Sequence, residues 1–189
     1  MYNQTLPIIL ASKSPRRQEL MTMMNLKFQV MLKDVDESYP DGLLPSEIAV
    51  HIAEKKAAAF IEQSINSIVI TADTIVAFND EILGKPSDAN HAKEILVKLS
   101  GNHHQVYTGV SLSYNGHTTS FYDTTEVYFN QLTLEQIDHY IANCNPFDKA
   151  GAYGIQDWIG LIGVEKIVGS YTNVMGLPTE RLYQALMSI

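Results

Sequence analysis

The stretch QVYTGVSLSYNGHTTSFYDTTEVYF, Gln105 to Phe129, decides the fold. Two β-rich segments, Gln105 to Tyr114 and Thr118 to Phe129, flank Asn115-Gly116. An Asn-Gly pair between such segments is the strongest short-range hairpin signal, because both turn residues accept positive φ. Upstream, strands and helices alternate. Leu6 to Leu10 reads as a buried strand. Ser14-Pro15 reads as an N-cap with proline in the first helical position, followed by the apolar stripe Leu20, Met23, Met24. Phe28 to Leu32 is a second strand, and the acidic, turn-rich segment Lys33 to Pro45 is a loop. Ser46 opens a long helix with Ile48, Ile52, Ala53, Ala57 and Phe60 at helical spacing. Ser67 to Ala72 is a strand, and Thr74 to Leu83 a hairpin turning at Asn79-Asp80. A helix from about Asp88 to Leu99 stops at Gly101. Thr133 and Gln136 form a capping box for a helix reaching about Asn143, and Pro178 opens a last short one. Between them lie glycines at 151, 154, 160, 163, 169 and 176 with no element assigned. The expectation is one α/β domain over residues 1–189: a mixed, twisted sheet with flanking helices, since a hairpin-rich middle argues against a purely parallel sheet.

Composition limits the partners. Thirteen basic against twenty-one acidic residues give a net charge of −8. Such a surface repels nucleic acid, and any anionic ligand must be met by a local cluster of cations. No apolar run approaches the ~20 residues of a membrane-spanning helix. Met1 to Thr5 carries no basic segment ahead of an apolar one, so no secretory leader is read there. The lone Cys144 excludes an internal disulfide, and a reducing, cytoplasmic compartment is expected.

Three places break the local rules. Lys13, Arg16 and Arg17 crowd a helix start, whose free amides and partial positive charge disfavour cations. Either the arginines splay into water, or a polyanion sits there, held by amides and guanidinium forks together. Ala72-Asp73-Thr74 sets a carboxylate straight after an apolar strand, at a strand end of the kind where α/β sheets place chemistry. Gly84-Lys85-Pro86 holds an ammonium in a stiff turn. Asp34, Asp36 and Glu37 offer oxygen donors of the type Mg²⁺ or Mn²⁺ takes. For Asp34 and Asp36 a solvated loop is the preferred reading, and the metal ligands stay unassigned. His103-His104 lacks companions for a zinc site.

Taken in order, these segments resemble the Maf family of nucleotide pyrophosphatases. The resemblance rests on Leu10 to Leu20 (LASKSPRRQEL), Ala72-Asp73-Thr74-Ile75-Val76, Ile82 to Pro86, Leu99-Ser100-Gly101 with His104 and Thr108, Asp148 to Gln156 (DKAGAYGIQ), Gly169-Ser170-Tyr171 and Gly176-Leu177-Pro178. It spans nearly the whole chain. It implies two lobes about a central cleft, a shape similar to the inosine triphosphate pyrophosphatases. The implied reaction is hydrolysis of nucleoside triphosphates to monophosphate and pyrophosphate with a divalent cation, Mg²⁺ or Mn²⁺. By the family pattern Asp73 is the general base, and Ser12, Arg16, Arg17, Glu37, Lys55, Thr74, Lys85 and Gln156 bind substrate. Thr74 and Gln156 match the subfamily acting on dTTP and UTP, which implies house-cleaning of the nucleotide pool. The family usually follows Ile-Gln with glycine, where this chain has Asp157-Trp158. A pyrophosphatase for 7-methyl-GTP or damaged purines and a non-catalytic regulator of cell division are the alternatives to be told apart by experiment, and a homodimer is the assembly considered.

Overall fold

Asn115 and Gly116 do turn the chain, at φ +48° and +79°. They join β5 (His103–Tyr114) to β6 (His117–Phe129) in an unbroken antiparallel register from Tyr114↔His117 to His103↔Tyr128. Asn79 and Asp80, also at positive φ, turn β3 (Ile68–Phe78) into β4 (Glu81–Leu83). This computed structural model describes residues 4–189. Met1 to Asn3, part of the stretch read for a leader, lie outside the described residues.

Seven strands make one twisted sheet. With β1 (Ile8–Leu10), β2 (Phe28–Val30) and β7 (Val164–Val168), the order is β2-β1-β3-β5-β6-β7, and β4 pairs with β3. β1 runs parallel to β2 and β3, and every other pairing is antiparallel. The expected break after Ala72 is absent. β3 continues through Asp73 because β5 pairs with it from Val69 to Ala77, a partner that the local sequence cannot display. On its other edge β3 is less covered. β1 pairs with Ile68 to Ile70 and β4 with Val76 to Phe78. Residues 71–75 therefore face a notch between two neighbouring strands.

Strand alternation sorts β3 between two cores. Ile68, Ile70, Ala72 and Val76 join the main core, under α1 (Pro15–Met23), α3 (Ala89–Leu99), α4 (Leu134–Cys144) and α7 (Thr179–Met187). Val69 and Ile75 face the other side, against Phe60 and α2 (Pro45–Ala58) respectively. Gly109 of β5 lets α2 come that close, since a Cβ there would lie 2.3 Å from the Ala49 backbone. Thr71 Oγ1 donates to the Ala53 carbonyl at 2.7 Å and fixes the helix along the strand.

The caps follow their chemistry. Ser14, Asp88 and Thr133 each accept a backbone N–H at their helix starts. α2 begins at Pro45, one residue before the expected Ser46, because a proline without an N–H leaves no donor orphaned at the first position. α5 (Trp158–Gly163), β7 and α6 (Tyr171–Met175) occupy the glycine-rich stretch left unassigned. No described helix is long and apolar enough to cross a membrane.

Candidate active site

The notch on β3 is the floor of a cleft of about 360 Å³. One wall is the β1–α1 turn with residues 32–37, and the other is built from residues 148–156 and 174–176. Neighbouring residues on a strand point to opposite faces, so Asp73 and Thr74 leave the floor in opposite directions.

Asp73 turns toward α2, where its Oδ1 accepts from Lys56 Nζ at 2.7 Å. The same ammonium lies 2.8 Å from Glu37 Oε1. Lys56 and Asp73 keep only 16% and 15% of their side-chain surface, which makes this a sheltered pair, whereas half of Glu37 is open. Burial pushes the Glu37 carboxyl up, but the hydrogen bond from Lys56 and the charges of Lys56, Lys85 and Arg17 outweigh it. Glu37 is held below its ordinary value.

Thr74 turns the other way, to α1. Its Oγ1 accepts from Arg17 Nη2 at 3.0 Å and lies 3.0 Å from Thr108 Oγ1, which donates to the Asn173 carbonyl. Arg17 spends its remaining donors on the protein as well. Nε reaches the Gly176 carbonyl at 2.7 Å, and Nη1 reaches the Ala72 carbonyl at 2.9 Å and Ser12 Oγ at 3.2 Å. The Ala72 carbonyl belongs to the strand edge that neither β1 nor β4 covers, so the guanidinium stands in for a missing strand. Four of its five N–H groups are committed, and the cation bridges both cleft walls. Arg16 is less tied, with a single ion pair to Asp148 at 3.1 Å.

Of the cations expected in the cleft, Arg16, Arg17, Lys13 and Lys85 line it, and Lys55 does not. Lys55 Nζ is held at the loop by Asp36 Oδ2 and the Ser38 carbonyl. Lys56, overlooked in the sequence, takes the place by the carboxylates. One residue along a helix is a rotation of 100°, and Lys56 falls in the middle of the face formed by Ile48, Ala49, Ile52, Ala53 and Ala57, the buried residues of α2, whereas Lys55 falls at its edge. That face was the available signal. Lys33 and Lys149 are two further cations of the lining that were not anticipated. Altogether seven lysines and arginines line the cleft against the carboxylates of Asp34, Glu37, Asp73 and Asp148, a positive site in a protein of net charge −8.

Gln156 reaches the same cleft from the far wall, and its Oε1 is buried without a hydrogen-bond partner. Ser12 is buried, with its Oγ accepting from the Ser14 amide as well as Arg17. Lys85 stands exposed in the turn after β4, and the Gly84 carbonyl beside it accepts from Gly151 N–H, tying that turn to the far wall. Behind the wall lies His104, wholly buried, with Nε2 2.8 Å from Tyr153 Oη. It is a packed neutral residue. Of the nine site residues read from the sequence, the cleft thus gathers all but Lys55. Among the described residues no group of three or more His, Cys, Asp or Glu is arranged to hold a metal.

Comparison with known proteins finds relatives over nearly the whole chain. A HAM1 protein from Coxiella burnetii shares the fold at a TM-score of 0.54 and 14% identity, over 98% of this chain and 100% of that one. A dTTP/UTP pyrophosphatase of Phocaeicola vulgatus is 50% identical over 184 residues, covering 96% of this chain and 95% of the relative. A dTTP/UTP pyrophosphatase of Bacillus cereus is 48% identical over 179 residues, covering 95% and 93%. The family model described as Maf-like protein matches residues 7–189, and the chain belongs to the Maf family.

Proposed function

We propose that the chain is a nucleoside triphosphate pyrophosphatase that hydrolyses dTTP and UTP, with modified pyrimidine nucleotides, to the monophosphate and pyrophosphate. It acts as one domain in the cytoplasm and clears such nucleotides from the pool, without nucleic acid or membrane as partner. The observation that carries the reading is the partnerless, buried Oε1 of Gln156 in the same cleft as the Asp73–Lys56–Glu37 cluster. A glutamine amide offers one acceptor and two donors. With Oε1 accepting from N3–H and Nε2 donating to O4, the edge of uracil or thymine is complementary to it; cytosine, with donor and acceptor exchanged, needs the amide turned over. The relatives' activity points the same way.

Water attacks the α-phosphorus, and the bond to the pyrophosphate oxygen breaks. Asp73 Oδ2 takes the water's proton, while Lys56 on Oδ1 holds the carboxylate in place. Lys13, Arg16 and Lys85 receive the phosphates and neutralise the charge that grows on the departing pyrophosphate. Arg17 supports the floor and has one N–H left for an anion.

A divalent cation fits this donor set. Asp73 and Glu37 bring hard carboxylate oxygens to one ammonium, and Mg²⁺ is commonly held by one or two carboxylates with water and substrate phosphates. Those two residues would hold Mg²⁺ or Mn²⁺, which when bound lowers the pKa of a coordinated water and offsets phosphate charge.

The test is kcat/KM for dTTP, UTP, CTP, ATP, GTP and 7-methyl-GTP by pyrophosphate release, at one concentration of Mg²⁺ or Mn²⁺. dTTP and UTP should lead, with weak discrimination between them, since a methyl in an apolar niche is worth only ~1–3 kcal/mol. A lead by GTP or 7-methyl-GTP would overturn the base assignment. No turnover on any of the six would favour a non-catalytic role instead.

A further inference from the structure

Asp157 sits directly before α5, where an aspartate ordinarily accepts helix amides, and it makes no such bond. Its carboxylate turns instead to Tyr140, whose Oη donates to Oδ2 at 2.8 Å. Lys149 Nζ lies 3.5 Å from the same oxygen. The Tyr140 Oη also accepts from the Gly154 amide at 3.1 Å. Finally, the Asp157 amide donates to the Gly154 carbonyl at 3.0 Å and closes a four-residue turn around Ile155 and Gln156. One phenol thus ties both ends of that turn.

The clamp is rigid for three reasons. Tyr140 is 0% exposed and fixed in the main core from α4, so its hydroxyl cannot wander. Burial first, then the Asp157 hydrogen bond, push its phenol far above the ordinary value, so it keeps the proton it donates. And the carboxylate packs directly over Gly154, where a Cβ would lie 2.6 Å from Oδ2. Gln156 has no comparable anchor, since its Oε1 has no partner. The turn that carries it sets where its backbone stands at the cleft.

We propose that Asp157 is a positioning residue for base selection: with Tyr140 it holds the Gly154–Asp157 turn so that the Gln156 amide meets the base edge in one orientation. This rests on the reading of Gln156 as the base-reading group. A paired donor and acceptor discriminate only while both stay aligned, whereas hydrolysis at Asp73 and Lys56 does not depend on this turn.

The experiment compares Asp157→Ala, Asp157→Asn and Tyr140→Phe with the wild type, on the same six triphosphates, with a thermal melt of each. Asp157→Ala should erode the wild-type preference by about tenfold or more, through a higher KM for the favoured nucleotide and a kcat changed less than about threefold. Asp157→Asn, whose Oδ1 still accepts from Tyr140, should retain most of the preference. Tyr140→Phe keeps the ring's packing and carries the test if Asp157→Ala does not fold. A folded Asp157→Ala or Tyr140→Phe that keeps the wild-type preference within about threefold, or that loses kcat equally on every nucleotide, overturns the proposal. The wild-type order alone tests the function proposed above. Whatever base the wild type prefers, that preference is what the variants must erode.

Discussion

Arg16 and Arg17 adjoin in sequence, yet their truncation should separate cleanly into a binding defect and a folding defect. Arg17→Ala removes four hydrogen bonds of 2.7–3.2 Å. Two acceptors keep other partners: Ser12 Oγ retains the Ser14 amide, and Thr74 Oγ1 retains Thr108. The carbonyls of Ala72 and Gly176, both buried residues, lose the guanidinium. Stranding a buried acceptor costs about 1–3 kcal/mol, so two cost about 2–6, and water admitted to the half-open cleft trims the upper end. A loss of about 3–4 kcal/mol is expected. With a urea m-value of about 2 kcal/mol/M, the midpoint should fall by about 1.5–2 M. Arg17→Lys should fare little better, since one ammonium cannot span the two walls. Arg16→Ala breaks one ion pair to a half-exposed Asp148 and should cost about 0–1 kcal/mol, while raising KM for the triphosphate. The assay is urea unfolding followed by far-UV circular dichroism at pH 7.5, with steady-state kinetics alongside. An Arg17→Ala midpoint within 0.3 M of wild type, a figure set by about 0.5 kcal/mol at that m-value, would refute the reasoning. The guanidinium would then belong to the ligand rather than to the fold.

Asp73→Asn should lower kcat by about 10²–10⁴ with KM little changed, because the amide cannot take a proton yet still fits Lys56; activity within threefold of wild type would place the base elsewhere. Lys56→Ala should abolish turnover under conditions where Lys55→Ala stays within about threefold, since only Lys56 meets Asp73 and Glu37; equal effects would remove the helix-phase argument. His104 should make the fold acid-sensitive. Burial, with a smaller contribution from His103, lowers it to about 3, while an unfolded histidine titrates near 6.5. Between those values the unfolded chain binds the extra proton. Stability is therefore intact above about pH 6.5 and is lost as pH falls toward 3, by at most about 1.4 kcal/mol per pH unit. Urea midpoints at pH 7, 5 and 4 should fall less in His104→Gln than in wild type, and parallel curves would count against the assignment.

Both hairpins were legible because the information is local. Asn79-Asp80 and Asn115-Gly116 take the positive φ their residue types tolerate, and the caps at Ser14, Asp88 and Thr133 each use a side chain within three residues of its donor. The same locality exposed the cation cluster at the start of α1 as an anomaly. Elements too short to show a period escaped: α5, α6 and β7, the last an edge strand whose pairing with β6 is long-range.

The sequence by itself determined the turns, the caps, the mixed sheet and the types of residue gathered near the cleft, because each follows from contiguous residues and their own conformational preferences. Only the tertiary structure decided which lysine of Lys55-Lys56 enters the site. That depends on how α2 is laid against the sheet, which Gly109 on β5 decides by letting the helix approach at Ala49. Only it decided that Asp73 lies mid-strand at a notch, since the notch is where β1 ends and β4 has not begun. And only it showed that Arg17 also supports the floor, because an uncovered strand edge leaves a carbonyl that some donor must satisfy.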